Sequence, residues 1–265
     1  MTESNSENVE EGLEIRTYFV RGRNALIARA DFGDLFIDYY LHLAQHGIKH
    51  SMAQDEMLKE ALAAVALHCA TKPWNEMTAW TLHFSDPLLN IFVTGDNQRG
   101  TVVGQLFTED VKQDGRSIFL SDTIRGRGEP RRSMVELPGT GVFAAVAHYY
   151  AQSEQLPARI FRHGPEDFVF VSAHPDCDME WFAALDDEAI RKLGETETLT
   201  LMEKRPMRWE CGCNELRMLQ VLAPMMREDA DGLFQGDPLL RMSCPRCGGK
   251  YIVTREAMEA FIHAG

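Results

Sequence analysis

The sequence contains no run of about 18 or more apolar residues, which excludes a membrane-spanning helix. Positive charge is scarce. Lys and Arg number 27 against 40 Asp and Glu in 265 residues, a formal net charge of −13, and that average field repels DNA or RNA. A glycine-rich phosphate loop, a GxSxG elbow and an HExxH helix are all absent, so the chain reads as no enzyme of those classes. Before Trp209 there are only two cysteines, Cys69 and Cys177, too few for a disulfide-stapled secreted scaffold. The opening Met1–Glu11 has no Lys or Arg, the opposite of a signal or transit peptide. The expected location is the cytoplasm.

What remains is an ordinary folded composition, 45 % hydrophobic and 25 % charged. Residues 1–14 read as a disordered acidic tail. Apolar residues recur at helical spacing over 34–45, 54–70 and 142–152. Between the last two, strand-like alternation broken by turn residues covers 80–84, 88–94, 101–107, 117–120 and 133–137, with one more strand at 168–172. An N-terminal α+β domain over 15–175, an antiparallel sheet with packed helices, follows. Residues 176–208 mix amphipathic fragments with many charges and read as a helical linker of low independent stability.

The remaining segment, 209–265, carries the informative residues. Cys211-Gly-Cys213 and Cys244-Pro-Arg-Cys247 are two tight pairs with thirty residues between Cys213 and Cys244. Four thiolates brought together by a helical excursion suit one tetrahedral Zn²⁺, and a CxxC followed by Gly248-Gly249 has the form of a zinc knuckle. A segment this small cannot hold itself together on its own core, so one reading is a purely structural zinc domain. Against that reading, thiols one or two residues apart can close local disulfides, and oxidation would expel the metal with its folding free energy, on the order of 10 kcal/mol.

Other candidates read as ordinary structure. His42, His46 and His50 recur every four residues, but Gly47 interrupts their helical face, and solvated histidines are expected. His174 and Cys177 read as a loop at a domain boundary. From Met207 to Gly265 seven basic residues face eight acidic ones, which gives no phosphate-binding surface. The basic run Arg125-Gly-Arg-Gly-Glu-Pro-Arg-Arg132 reads as an exposed turn.

The cysteine arrangement, ending Gly248-Gly-Lys-Tyr251-Ile-Val253, resembles the redox-regulated 33 kDa chaperonin family, a group of bacterial heat-shock holdases. Leu137-Pro-Gly-Thr140 with Ser153-Glu-Gln-Leu-Pro157 carries the same resemblance, as do Gln98-Arg99-Gly100 and Val20-Arg21-Gly22. It extends over residues 18–262. The resemblance implies an N-terminal α/β domain, a metastable linker and a small C-terminal zinc-binding domain. It further implies that zinc on Cys211, Cys213, Cys244 and Cys247 keeps the protein inactive. Oxidation would then form Cys211–Cys213 and Cys244–Cys247 disulfides, release zinc, unfold the linker and expose surface for unfolding client proteins. A homodimer when oxidised, with neither nucleic acid nor membrane as partner, belongs to the same expectation. Where the family has Ser after the CxC, this chain has Asn214, which can cap the next helix as Ser would. The alternative is a constitutive partner-binding protein whose zinc domain is only structural.

Overall fold

A computed structural model describes residues 12–113 and 115–264. The chain enters through a hairpin of β1 (Leu13–Val20) and β2 (Ala25–Asp31), followed by α1 (Gly33–His46) and α2 (Met52–Ala70). A meander comes next: β3 (Glu76–Ser85), β4 (Leu88–Asp96), β5 (Thr101–Phe107), β6 (Ile118–Arg125) and β7 (Arg131–Glu136). Helix α3 (Val142–Tyr149) runs on as a π-helical turn to Glu154, then β8 (Ala158–Arg162) pairs with β9 (Asp167–Ala173). Three short helices, α4 (Met179–Ala184), α5 (Asp187–Arg191) and α6 (Leu193–Thr196), lead to the long strand β10 (Leu199–Trp209). The C-terminal part holds α7 (Glu215–Glu228), α8 (Ala230–Phe234), a hairpin of β11 (Leu239–Ser243) and β12 (Lys250–Thr254), and α9 (Arg255–Ala264).

The first ten strands make one sheet in the order β7-β6-β3-β4-β5-β10-β1-β2-β9-β8. Neighbours are antiparallel except at the β10–β5 seam, which is parallel and only two pairs long, Arg208↔Thr101 and Trp209↔Val102. Helix α2 packs across strands on both sides of that seam. Its sequence explains why. Ser51 and Gln54 close a capping box, and Ala61 to Ala70 is buried on every side, as a nearly all-apolar helix stretch must be. Strand β3 presents Trp80, Leu82 and Phe84 to this helix layer, every second residue, as the pleat requires.

Three expectations change. The assigned tail of 1–14 falls mostly on residues outside those described, and Leu13 and Glu14 already belong to β1. The strands β1, β2 and β8 were not read from the sequence, because charged residues such as Arg16 and Arg29 break up the apolar signal. The stretch 176–208, expected as a helical linker of low independent stability, is helical only over short pieces between Met179 and Thr196 and becomes strand β10 from Leu199. Helices α4–α6 lay Phe182, Leu185, Ile190 and Leu193 on the outer face of β1, β2, β8 and β9, and β10 fills the middle of the sheet. One charge there is buried among partners: Arg205 is 5 % exposed, its guanidinium bonded to Glu203 and to the Cys69 carbonyl and lying 4.5 Å from the Trp74 ring centroid.

One buried histidine makes stability depend on pH. His68, on α2, accepts a hydrogen bond at Nδ1 from the Tyr150 hydroxyl and faces Thr78 through Nε2. Burial, reinforced by Lys72, holds its pKa well below the usual value. The folded state thus keeps His68 neutral while the unfolded chain takes up a proton below pH ~6.5. Protonation favours unfolding, and His68 alone is expected to cost about 1.4 kcal/mol by pH 5.5 relative to pH 7.5. Urea midpoints at the two pH values check this against His68→Gln; a variant with an equally steep fall would show that other groups carry the effect.

Candidate metal centre

Cys211 and Cys213 leave the end of β10, the middle strand of the large sheet, and Gly212 between them takes a φ of 68°. Cys244 and Cys247 sit in the turn between β11 and β12. There the Cys244 N–H donates to the Gly249 carbonyl at 2.8 Å and the Gly248 N–H to the Cys244 carbonyl at 2.9 Å. The excursion that returns the chain from one pair to the other is α7 and α8. Asn214 caps α7, accepting at Oδ1 from the Arg217 N–H at 2.9 Å, as expected for Ser at that position.

The four sulfurs all lie within 4.8 Å of one another, with Cys211–Cys244 at 3.6 Å and Cys213–Cys247 at 3.4 Å. Sulfurs about 2.3 Å from a tetrahedral zinc lie roughly 3.8 Å apart, so the cluster is compatible with one zinc ion. Cys244 and Cys247 are buried, Cys211 and Cys213 half-buried.

Hydrogen bonds distribute negative charge unevenly among the sulfurs. The Cys211 thiol, with Cys247 and the Tyr251 hydroxyl behind it, pulls Cys213 down to about 6. Thiols donated by Cys211, Cys213 and Cys247 depress Cys244 strongly, and the Arg246 backbone N–H adds to this. Donating to those neighbours holds the protons on Cys211 and Cys247, pushing both far up. Adjacent thiolates repel unless a cation lies between them, so the set is compatible with a divalent cation that tolerates soft ligands. The Tyr251 hydroxyl donates to the Cys213 sulfur at 3.0 Å, an outer-shell bond of the kind that orients ligands.

Around this centre the apolar material is thin. Met218, Leu222, Met226, Phe234, Val253 and Met258 form a small core of their own, while Cys244 and Cys247 pack on Val103 of β5 and on Trp209. Three methionines of this segment, Met218, Met226 and Met258, are core residues, and Met225 is exposed.

The remaining sequence candidates lie elsewhere. Cys69 is buried on α2, where burial pushes its thiol up to about 12, and Cys177 sits half-buried in the loop before α4. In the basic run, Arg125 pairs with Glu76, Arg131 with Glu154 and Arg132 with Asp122. The histidines differ from expectation. His42 and His46 are not solvated but half-buried against the CxxC turn, the first bonded to the Cys247 carbonyl at 2.9 Å and the second to the Lys250 N–H at 3.0 Å. Their four-residue spacing was the available signal, and nothing in the sequence says that α1 meets a turn some two hundred residues away.

A family model described as "Hsp33 protein" matches residues 39–166 and 171–254. The 33 kDa chaperonin of Proteus mirabilis is 25 % identical over 237 residues, covering 76 % of this chain and 81 % of its own. That of Yersinia pestis is 25 % identical over 247 residues, covering 81 % and 84 %. The crystal structure of the 33 kDa chaperonin (heat shock protein 33 homolog) of Thermotoga maritima superposes with a TM-score of 0.71 at 14 % identity, over 96 % of this chain and 98 % of that one. At that identity the superposition speaks for the fold.

Proposed function

The chain belongs to the Hsp33 family, and from that premise we propose that it is a redox-regulated, ATP-independent holdase, a chaperone rather than an enzyme. The observation that carries the reading is the four-cysteine cluster beyond the end of β10, the strand that follows the short helices α4–α6. Cys211, Cys213, Cys244 and Cys247 would hold one Zn²⁺, which when bound supplies a cross-link between two chain segments that have little core of their own.

Oxidation removes that cross-link. In each pair two cysteines close one S–S bond, the O–O bond of one peroxide breaks, and two waters leave once protons are counted. With all four thiolates consumed no ligand remains, and the fold of 211–263 loses its main support. The helices α4–α6 have four to six residues each, too short to persist without packing. Their release uncovers the apolar face containing Val20, Ile27, Phe161, Val169 and Val171, a surface suited to unfolding polypeptides in the cytoplasm and to association of two oxidised copies.

The test is to treat the reduced protein with peroxide at heat-shock temperature, counting zinc and free thiols while light scattering follows a thermally unfolding client. Loss of one zinc and four thiols, together with suppressed scattering, is the expected result. Zinc retained, or lost without holdase activity, would favour a constitutive partner-binding protein with a structural zinc domain.

A further inference from the structure

Helix α1 ends at Gly47, and its last turns carry His42 and His46 on one face, ring centroids 4.6 Å apart. That face meets the β11–β12 turn. The His42 Nε2–H donates to the Cys247 carbonyl at 2.9 Å, and the Lys250 N–H donates to His46 Nδ1 at 3.0 Å. From β5, Gln105 Nε2 donates to the Pro245 carbonyl at 2.7 Å. The rings are held in turn: His42 lies 5.4 Å from the Trp209 ring and His46 5.6 Å from the Tyr251 ring, centroid to centroid.

The two glycines after Cys247 leave room for these side chains. Gly248 has a φ of 72°, and a Cβ there would come within 2.7 Å of Gln105 Oε1. At Gly249 a Cβ would stand 3.3 Å from His46 Nε2 and 3.4 Å from His42 Cε1. Bare backbone in this turn therefore serves the approach of α1 and β5 as well as the turn itself. Three polar side chains of the N-terminal domain satisfy backbone groups of the turn that carries two of the four sulfurs.

We propose that His42, His46 and Gln105 are positioning residues that clamp this turn and set how fast the four-thiolate site gives up zinc. This rests on the zinc reading above. For the ion to leave, the Cys244–Cys247 turn must draw away from Cys211 and Cys213. The clamp resists that movement from outside the ligand set, much as outer-shell partners of metal ligands do, whose loss costs ~10–100-fold in metal retention.

The experiment uses the full chain, reduced and zinc-loaded, and follows transfer of zinc to an excess of a chromogenic chelator without oxidant. His42→Ala/His46→Ala and, separately, Gln105→Ala are expected to release zinc about 10–100-fold faster, with unchanged circular dichroism before chelator is added. Set against the single His42→Ala, His42→Gln places an amide N–H within reach of the same carbonyl and should restore a rate near that of the parent, which a mere packing role would not produce. Parental rates in both the double variant and Gln105→Ala, or a His42→Gln variant as fast as His42→Ala, overturn the clamp. If the double variant does not fold, Gln105→Ala decides. A parent that binds no stoichiometric zinc overturns the metal reading and the clamp together, whereas zinc-loaded variants with unchanged rates overturn the clamp alone.

Discussion

Cys247→Ser is expected to strip the protein of zinc and to leave residues 211–263 without a stable fold even in reducing buffer. Cys247 is 1 % exposed, and its sulfur lies 3.4 Å from that of Cys213. A serine hydroxyl in its place is a hard, neutral donor in a site built from thiolates. The free energy at stake is the binding energy of the site, on the order of 10 kcal/mol. The core of Met218, Leu222, Met226, Phe234, Val253 and Met258 is too small to replace it. Metal content and limited proteolysis, with Cys69→Ser as control, check the outcome. Cys69 is buried against Gly95, outside the cluster, so its replacement should leave zinc in place. A Cys247→Ser protein that still carries one zinc and resists protease would remove the four-thiolate site.

Trp80→Ala is expected to destabilise the N-terminal domain by about 3–5 kcal/mol, a large share of the ~5–15 kcal/mol that holds a domain together. Trp80 is fully buried on β3, with its ring centroid 4.8 Å from that of His68 and 5.2 Å from that of Phe119. Its truncation opens a hole where α2 meets the sheet. Trp80→Phe should cost much less, because it keeps most of the ring and deletes an indole N–H that is buried without an acceptor. Urea midpoints followed by far-UV circular dichroism give both values. A loss below ~1.5 kcal/mol for the alanine variant would mean that the core closes around the vacancy.

Local chemistry made parts of this fold legible in the sequence. Helix α2 could be read because its apolar residues recur at helical spacing. The meander β3 to β7 could be read because its strands alternate and turn residues break them apart. Strand β10 could not, since its Glu203, Lys204 and Arg205 are balanced by partners on β1, α2 and Trp74. A sequence shows a charge but not the carbonyl that will receive it. The centre divides the same way. The four cysteines announce themselves through spacing, whereas His42, His46 and Gln105 acquire their meaning only from docking across the chain.

The position of β10 also bears on how the chain is made. Thr17 of β1 bonds to Glu203 of β10 across 186 residues. At ~5–20 residues per second, a ribosome needs roughly 10–40 s to deliver the second strand after the first. Until β10 arrives, β1 and, once it is made, β5 each present an unpaired edge, a template for pairing with another nascent chain. The chain thus spends much of its own synthesis with open sheet edges, and any transcript ending before codon 199 would leave both edges open for good.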